Sequence, residues 1–360
     1  MRGGLGLGLV CLAGRPARVA GATAAGSGST LWLSWNENPL GLSRRAKEAA
    51  REALQSSHRY PDRARAEVAA SLAERAGLKP GNVVLGCGST QILQAIVLSE
   101  AGTGKPLILA EPTFEAVVEY QQPLGYRVEK VPLDSRYAHD LARMSELVGR
   151  RGAVVYLCNP NNPTATLTPT REIGAWILQA PLNVLFVIDE AYFEYVESPQ
   201  YESCASWVAR HPNVVVTRTF SKIYAMAGLR LGYALCHEDT AERLRKFVSA
   251  DNTNGVALAA AKASLADNDL IARSRQLNAR SKQIAVACLD ELGLEHLPSH
   301  ANFLMHRVPG DPEAYILGMR QRGIRVGRPF PPLGEFNRLT LGLPQEMRQW
   351  AAALQSMAAG

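Results

Sequence analysis

An apolar segment that ends beside a lysine constrains the fold of this chain more than any other feature. Residues 213–218, N-V-V-V-T-R, have the composition of a buried strand, and T-F-S-K follows them. Lys222 is therefore expected just beyond the end of a strand, where open α/β sheets bind their ligands. Thr219, Ser221 and Arg230 supply two hydroxyls and one bidentate donor, which together suit a bound anion.

A lysine beside an anion site has two interpretations. Single lysines are mostly solvated, so Lys222 could simply lie exposed near a turn. Its amine could instead form a Schiff base with pyridoxal phosphate (PLP), whose phosphate would occupy the anion site. Two other stretches of the sequence favour the second interpretation.

The first stretch is F-V-I-D-E-A-Y-F, residues 186–193. Asp189 ends an apolar strand, so its carboxylate needs a partner if it is buried. A protonated pyridinium nitrogen is such a partner, and the protonated ring is the better electron sink. Tyr192 could donate a hydrogen bond to the phenolic oxygen of the same ring. The alternative is an ordinary turn at the end of a strand.

The second stretch is C-N-P-N-N-P-T, residues 158–164, which follows the strand A-V-V-Y-L. Its prolines require a sharp turn, and Asn162 could bond the same phenolic oxygen. A strand-end turn without a ligand is again the alternative. Three such turns in this order and at this spacing favour a PLP site over three unrelated turns.

Two earlier strands also lead to candidate cofactor contacts. N-V-V-L at 82–85 predicts a strand, and the turn G-C-G-S-T follows it. Gly88 would open this turn, and Ser89 or Thr90 would cap a helix whose free N–H groups can bind phosphate. Phe114, after the strand P-L-I-L-A, is a candidate to stack on the pyridine ring. A helix cap without a ligand and ordinary core packing are the respective alternatives.

These motifs resemble those of fold-type-I PLP-dependent aminotransferases of class I/II, and within them the histidinol-phosphate aminotransferase-like branch. The resemblance covers roughly residues 31–350. It is specific for fold and cofactor and much less specific for the substrate. It is carried by N-E-N-P-L-G at 36–41, R-Y-P-D at 59–62, G-C-G-S-T at 86–90, E-P-T-F at 111–114, N-P-N-N-P-T at 159–164, D-E-A-Y at 189–192, the Lys222 stretch and N-R-L-T-L-G at 337–342.

The resemblance implies an α/β protein of the PLP-dependent transferase fold type I. Helices and short strands alternate as far as residue 236, which is typical of a mostly parallel central sheet flanked by helices. We expect this large PLP-binding domain at 58–250. A smaller α/β domain would comprise residues 31–57 and 251–360, including an Ala-rich helical stretch at 256–292.

The resemblance also implies contacts to the substrate and to a second subunit. Tyr60 would reach the cofactor phosphate of the neighbouring subunit, which predicts a homodimer with shared active sites; an aromatic packed at a proline turn is the alternative. Asn38 lies in a segment that covers the active site in this family. Arg338 is predicted to clamp a substrate carboxylate or phosphate, with Arg328 and Arg325 as weaker candidates for a second anion.

The predicted activity is transamination between an amino acid or amino-acid-derived donor, including a phosphorylated one, and a 2-oxo acid. Lys222, Asp189 and Tyr192 are the expected catalytic residues of a ping-pong Schiff-base mechanism. A PLP-dependent lyase of the threonine-phosphate decarboxylase type, a racemase and a non-catalytic PLP-binding regulator remain alternatives. Ala165 replaces a usual glycine, and the tract around Arg328 differs from that of histidinol-phosphate aminotransferases, so the substrate stays open.

Composition excludes several other classes of protein. The formal net charge of +6 is spread along 360 residues without a dense basic block, which argues against nucleic-acid binding and suits anionic ligands. The seven histidines show no metal-ligand spacing, so no metal site is predicted. No apolar run is long enough to span a membrane.

Residues 1–30 differ from the rest of the chain. A positive start, a glycine-rich apolar core and a small-residue tail outline an export signal of the twin-arginine type, although no twin arginine is present. A disordered low-complexity extension or a misassigned start codon are the alternatives. The expected location is the periplasm with a signal and the cytoplasm without one.

Overall fold

The computed structural model describes residues 30–100, 103–125 and 127–358. The predicted signal segment therefore lies outside the described residues, except for Thr30. The strands are β1 Leu31–Trp32, β2 Val83–Gly86, β3 Leu107–Glu111, β4 Val128–Pro132, β5 Val154–Cys158, β6 Leu185–Asp189, β7 Val214–Thr219, β8 Gly232–Cys236, β9 Phe303–Arg307, β10 Ile324–Arg325 and β11 Phe336–Thr340. The α-helices are α1 Arg44–Ala53, α2 Asp62–Arg75, α3 Ser89–Ser99, α4 Ala116–Gln121, α5 Leu141–Glu146, α6 Thr170–Gln179, α7 Glu238–Arg245, α8 Gly255–Leu265, α9 Leu270–Glu291, α10 Pro312–Gln321 and α11 Pro344–Ala358.

Seven strands form the central sheet in the order β2-β8-β7-β6-β5-β3-β4. All neighbours are parallel except β8, which is antiparallel to both β2 and β7. Every residue of β5, β6 and β7 is buried, as expected of parallel strands covered on both faces. The prediction of a mostly parallel central sheet is confirmed.

Helices cover both faces of this sheet because its strands alternate their side chains between two apolar clusters. In β5, Val155 packs in the cluster that includes residues of α1, α2, α6 and α8. The neighbouring Tyr156 packs in the other cluster, with residues of α3, α4 and α7. The central sheet is therefore the middle of three layers.

The register of the sheet brings three functional stretches to one edge. Cys158 pairs with Asp189, and Asp189 pairs with Thr217, so β5, β6 and β7 end side by side. β8 then returns antiparallel, and Gly232 pairs with both Thr219 and Gly86. The glycine-rich turn after β2 consequently lies next to the end of β7.

A third apolar cluster surrounds the C-terminal strands. β9 pairs antiparallel with β11, and β1 pairs parallel with β10. Trp350 of α11 is fully buried there, and its indole N–H donates to the hydroxyl of Tyr315 at 3.0 Å. Leu33 belongs to the same cluster, so the N-terminal strand joins this part of the molecule.

Two features bear on the predicted domains. Residues 31–57 and 251–360 were predicted to form one small domain, and α1 packs against α8, while Ala46 and Ala50 also lie in a cluster shared with the central sheet. The helical stretch 256–292 is two helices, because α8 ends at Leu265 and α9 begins at Leu270. The division of the chain into domains stays a prediction. Within the described residues, no helix has both the length and the apolar character needed to cross a membrane.

We expect Gly232→Ala to disturb the contact between β8 and the glycine-rich turn. A Cβ at this position would overlap the backbone nitrogen of Ser89, and backbone cannot move aside as a flexible side chain can. The free energy of unfolding should fall by about 1–3 kcal/mol, the usual cost of overpacking. Urea denaturation measures this change.

Gly149→Ala is the matched control for this substitution, because a Cβ there has no heavy atom within 4 Å. It should change the free energy of unfolding by less than about 0.5 kcal/mol. Equal losses in the two variants would show that the approach of β8 to the turn is not tight.

Candidate active site

A cavity of about 650 Å³ opens where the ends of β5, β6 and β7 meet. Most of the predicted site residues line it. They are Ser89, Thr90, Phe114, Asn162, Asp189, Tyr192, Thr219, Ser221, Lys222, Arg230, Arg328 and Arg338.

Four predicted residues do not line this cavity: Gly88, Asn38, Tyr60 and Arg325. Gly88 lies behind it in the turn before α3. Asn38 donates to the carbonyl of Ile223 at 2.9 Å and to the hydroxyl of Ser274 at 3.1 Å, so its amide joins chain segments outside the cavity. Tyr60 is 79% exposed, which leaves its predicted contact with a neighbouring subunit as a prediction.

Lys222 follows β7 and extends its amine into the cavity. Its Nζ donates to the backbone carbonyls of Trp35 at 3.1 Å and Asn36 at 3.2 Å. Burial lowers the pKa of this amine to about 8, and the positive charges of Arg338 and Arg230 act in the same direction. A large fraction of the amine is therefore neutral at mildly alkaline pH, the form that can act as nucleophile or base.

Asp189 lies at the base of the cavity with one carboxylate oxygen bonded. Tyr156 donates its hydroxyl to Oδ2 at 2.8 Å. Burial raises the pKa of this carboxyl to about 6, against the opposing effect of the Tyr156 bond. The second oxygen, Oδ1, is buried without a hydrogen-bond partner among the described residues. An unpaired buried acceptor of this kind fits a cationic N–H such as that of pyridinium.

Arg230 forms the centre of a small group of anion-binding side chains. Its guanidinium donates to the hydroxyls of Ser221 and Thr90, both at 3.3 Å. Thr219 donates to Ser221 at 3.0 Å, which holds the two hydroxyls together. Hydroxyls and a guanidinium converging at one end of the cavity suit a phosphate.

The turn before α3 completes this phosphate-binding end, with one correction to the predicted cap. Ser89 and Thr90 are the first residues of the helix, and Gly88 is the N-cap, with φ +76° and no side-chain capping bond. A Cβ at Gly88 would overlap the guanidinium of Arg230. The glycine thus permits close approach, and the first N–H groups of α3 are left for an anion.

Tyr192 and Asn162, the predicted partners of the phenolic oxygen of PLP, both line the cavity, and each already has a partner within the protein. The hydroxyl of Tyr192 accepts a hydrogen bond from the side-chain amide of Asn36 at 3.1 Å. Asn162 accepts from Arg338 at 2.7 Å through its amide oxygen, so its nitrogen remains to donate. The two side chains are therefore orientated before any ligand binds.

Asn36 and Tyr156 are site residues that were not predicted. Asn36 begins the N-E-N-P-L-G motif, whose third residue, Asn38, was chosen instead. Tyr156 could have been found from strand alternation, since it shares a face of β5 with Cys158, the partner of Asp189 in the sheet.

Two further arginines, Arg338 and Arg328, line the cavity together with Arg230. Arg338 donates to the carbonyl of Ser34 at 2.7 Å, and its buried Nε has no partner among the described residues. Burial lowers its pKa to about 10, and the charge of Arg328 adds to this effect. Phe330 packs against both guanidinium groups, at 4.8 Å from Arg338 and 4.2 Å from Arg328. Arg325 instead stacks on Trp32 and does not line the cavity.

Comparison with known proteins places this site in a family. The model of the family described as aminotransferase class I and II matches residues 29–354. The chain belongs to this family. A histidinol-phosphate aminotransferase of Dechloromonas aromatica (strain RCB) is 36% identical over 90% of this chain and 88% of that protein. One from Cupriavidus pinatubonensis is also 36% identical, over 96% of this chain and 93% of the relative.

Solved structures agree with this assignment. A crystal structure of histidinol-phosphate aminotransferase from Sinorhizobium meliloti, in complex with pyridoxal-5'-phosphate, superimposes with a TM-score of 0.85 at 29% identity over 92% of this chain and 91% of that chain. An L-threonine-O-3-phosphate decarboxylase from Porphyromonas gingivalis, 21% identical with a TM-score of 0.79, shares the fold.

The family and the geometry together identify the cofactor. The enzyme is a PLP-dependent aminotransferase, and its cavity fits PLP at three points: the Lys222 amine, the unpaired oxygen of Asp189 and the phosphate-binding group around Arg230. Among the described residues, no group of three His, Cys, Asp or Glu side chains is arranged to hold a metal ion.

We expect Asp189→Asn to stabilise the cofactor-free protein, compared with the parent protein, more at pH 8 than at pH 4. The carboxyl has a pKa of about 6 in the folded protein and about 3.9 in an unfolded chain, so the native state binds more protons and loses stability as the pH rises between these values. The difference amounts to about 2–3 kcal/mol at pH 8. Urea denaturation of both cofactor-free proteins at the two pH values measures it.

The PLP-loaded proteins provide the control. A ring cation beside Asp189 would stabilise the carboxylate, so the pH-dependent advantage of the asparagine variant should disappear or reverse when PLP is bound. Parallel pH profiles for the two cofactor-free proteins would contradict the raised pKa.

Proposed function

We propose that this enzyme transfers the amino group of a donor that carries a phosphate monoester, of the histidinol-phosphate type, to a 2-oxo acid in a ping-pong cycle. The observation that carries this proposal is the pair Arg338 and Arg328, which line the cavity in addition to Arg230. Arg230 and its hydroxyl partners suit the cofactor phosphate, so the other two arginines remain for the substrate. Curated relatives named histidinol-phosphate aminotransferase support the same substrate class.

Each catalytic group has a distinct task in this proposal. Bound PLP supplies an electron sink for the charge that develops when the α-hydrogen leaves. Lys222 holds the cofactor through its amine and, once released, accepts the α-proton at Nζ. Asp189 would hold a positive charge of the cofactor at its unpaired Oδ1, and Tyr192 and Asn162 would orient the ring.

Arg338 is preorganised to receive the substrate anion. Ser34 and Asn162 fix its guanidinium from two directions, and Phe330 packs against its face. A guanidinium that is already immobilised loses little conformational entropy on binding. Its planar donors match both carboxylate and phosphate, so one residue can serve the donor and the acceptor acid.

A single-turnover experiment tests this proposal. The PLP-loaded enzyme is mixed with histidinol phosphate, histidinol, histidine or threonine phosphate without an acceptor acid, and conversion of the cofactor to its amine form is followed by absorbance. We expect histidinol phosphate to react at least about tenfold faster than histidinol, which differs only in lacking the phosphate. Equal rates for the two, or release of carbon dioxide from threonine phosphate with PLP unchanged, would contradict the proposal.

We predict that Arg338→Met lowers kcat/KM for phosphorylated and carboxylate donors and leaves PLP affinity unchanged. The loss should be about 2–5 kcal/mol, the range found when one partner of a buried charge pair is removed. Arg325→Met is the matched control, since Arg325 lies against Trp32 outside the cavity. A similar loss in both variants, or loss of PLP from Arg338→Met, would show that Arg338 is structural.

We also infer that the enzyme is a homodimer in which Tyr60 contributes to the active site of its partner. Tyr60 is an exposed aromatic in the R-Y-P-D motif and does not line the cavity of its own chain. Large exposed aromatic side chains are common at protein interfaces, where an apolar ring and a hydroxyl can both find partners.

Subunit mixing tests shared sites. Chains carrying Lys222→Ala and chains carrying Tyr60→Ala should each be impaired alone. In a mixed dimer, the intact Lys222 of one chain meets the intact Tyr60 of the other, so one of the two sites is complete and activity should return. If nothing returns while native mass spectrometry shows that subunits exchange, the sites are not shared.

A further inference from the structure

The second substrate-side arginine, Arg328, is already occupied by an acidic side chain. Its guanidinium forms an ion pair and hydrogen bond with the carboxylate of Glu115. The same guanidinium donates to the carbonyl of Pro329 at 3.0 Å and lies 4.2 Å from the ring centre of Phe330. Phe330 and Pro329 thus support Arg328 from its own segment, whereas Glu115 comes from a segment 213 residues away that lines the same cavity.

Glu115 is positioned for this contact by the chain around it. It follows Phe114, which packs against the apolar cluster on one face of the sheet. Glu115 occupies the N-cap position of α4 but makes no capping hydrogen bond, so its carboxylate is directed at Arg328 instead. Both charged side chains remain about half exposed, at 54% and 56%, and an exposed pair exchanges partners at little cost.

The pair also affects Arg338, which lies in the same cavity. Arg328 lowers the pKa of Arg338 through charge repulsion, and Glu115 raises it. Glu115 therefore offsets the repulsion between two guanidinium groups that would otherwise face the same space without a counter-ion.

A ping-pong aminotransferase must accept two different substrates in one cavity. One of them can carry an additional anionic group that the other lacks. An arginine that binds this group becomes an unpaired, partly desolvated charge when the other substrate is bound. An acidic side chain that pairs with the arginine in that state removes the free-energy cost of leaving its charge unpaired.

We propose that Glu115 is a specificity-determining residue that serves as the exchangeable counter-ion of Arg328. It pairs with Arg328 when the occupant of the cavity presents no anionic group to this arginine, and it releases Arg328 to a phosphate or carboxylate when the occupant does present one. This inference rests on the proposed function, since that function assigns the substrate anions to this side of the cavity.

Glu115→Gln tests the proposal with inorganic phosphate as the probe and PLP-saturated enzyme as the protein. Titration calorimetry should show phosphate binding tightened about two- to fivefold, because phosphate no longer competes with a carboxylate for Arg328. Glu119→Gln is the matched control. Glu119 lines the same cavity, and no ion pair or hydrogen bond to Arg328 is found for it within the described residues, so it should change phosphate binding less than about twofold. Glu115→Asp keeps the carboxylate, so its phosphate affinity should lie closer to that of the parent enzyme than the affinity of Glu115→Gln does.

Two further measurements distinguish an effect that acts through Arg328 from a general change in the charge of the cavity. The effect of Glu115→Gln on phosphate binding should vanish when Arg328 is also replaced by methionine. In steady state, Glu115→Gln should lower KM for histidinol phosphate and raise KM for histidinol, with kcat unchanged for both.

Three results would overturn the inference: unchanged or weaker phosphate binding in Glu115→Gln, an equal effect of Glu119→Gln, or an effect that persists without Arg328. Failure of the proposed function can be distinguished from these. If histidinol phosphate is not a substrate but phosphate binding responds to Glu115 through Arg328, the substrate assignment fails and the role of Glu115 stands. If turnover is as proposed and phosphate binding is indifferent to Glu115, only the role of Glu115 is removed.

Discussion

The shared edge of three parallel strands is the constraint on which the active site depends. Asp189 sits between Cys158 and Thr217 in the register of β5, β6 and β7. A slip of one residue in β6 would turn Asp189 to the opposite face and bring an apolar side chain to the cavity. Both faces of these strands are buried, so such a slip would also expose a row of Val, Ile and Phe side chains to the wrong helices. The packing of the core and the position of the carboxylate are therefore fixed by the same interaction.

Around this edge the protein keeps several charges in unfavourable surroundings. Burial raises the pKa of Asp189 to about 6, lowers that of Lys222 to about 8 and lowers that of Arg338 to about 10. Each shift disfavours the charged form of its group, and each group faces one cavity from which an oppositely charged or covalent partner can approach. Perturbed groups that converge in this way are characteristic of functional sites. In the proposed function, the desolvation cost of these groups would be offset when the cofactor and the substrate anion bind.

The sequence predicted the parts of the site that depend on local pattern. Strand ends, turn residues and the lysine stretch lie close together in the chain, and the parallel sheet brings their ends together. The sequence did not predict that Asn36, and not Asn38, lines the cavity, because contacts far along the chain position this residue. The backbone N–H of Asn36 donates to the hydroxyl of Thr340, 304 residues away, and Asn36 adopts a φ of +54°. The packing of Ala46 and Ala50 of α1 in a cluster of the central sheet is of the same kind, since an apolar stripe does not specify its partner. Ala165 keeps a φ of +62° where glycine is usual, a conformation that sequence propensity alone disfavours for alanine.

Residues 34–36 join the catalytic and substrate-binding halves of the site. The carbonyls of Trp35 and Asn36 accept from Lys222, while the carbonyl of Ser34 accepts from Arg338. Thr340 of β11 bonds Asn36, so this segment is anchored to the same strand that carries Arg338. Three consecutive residues thus set the separation between the amine and the guanidinium to which the proposed function assigns proton transfer and the substrate anion. Because proton transfer requires the α-carbon within reach of Nζ, the distance between these two groups limits which substrates can react as strictly as the chemistry of either group.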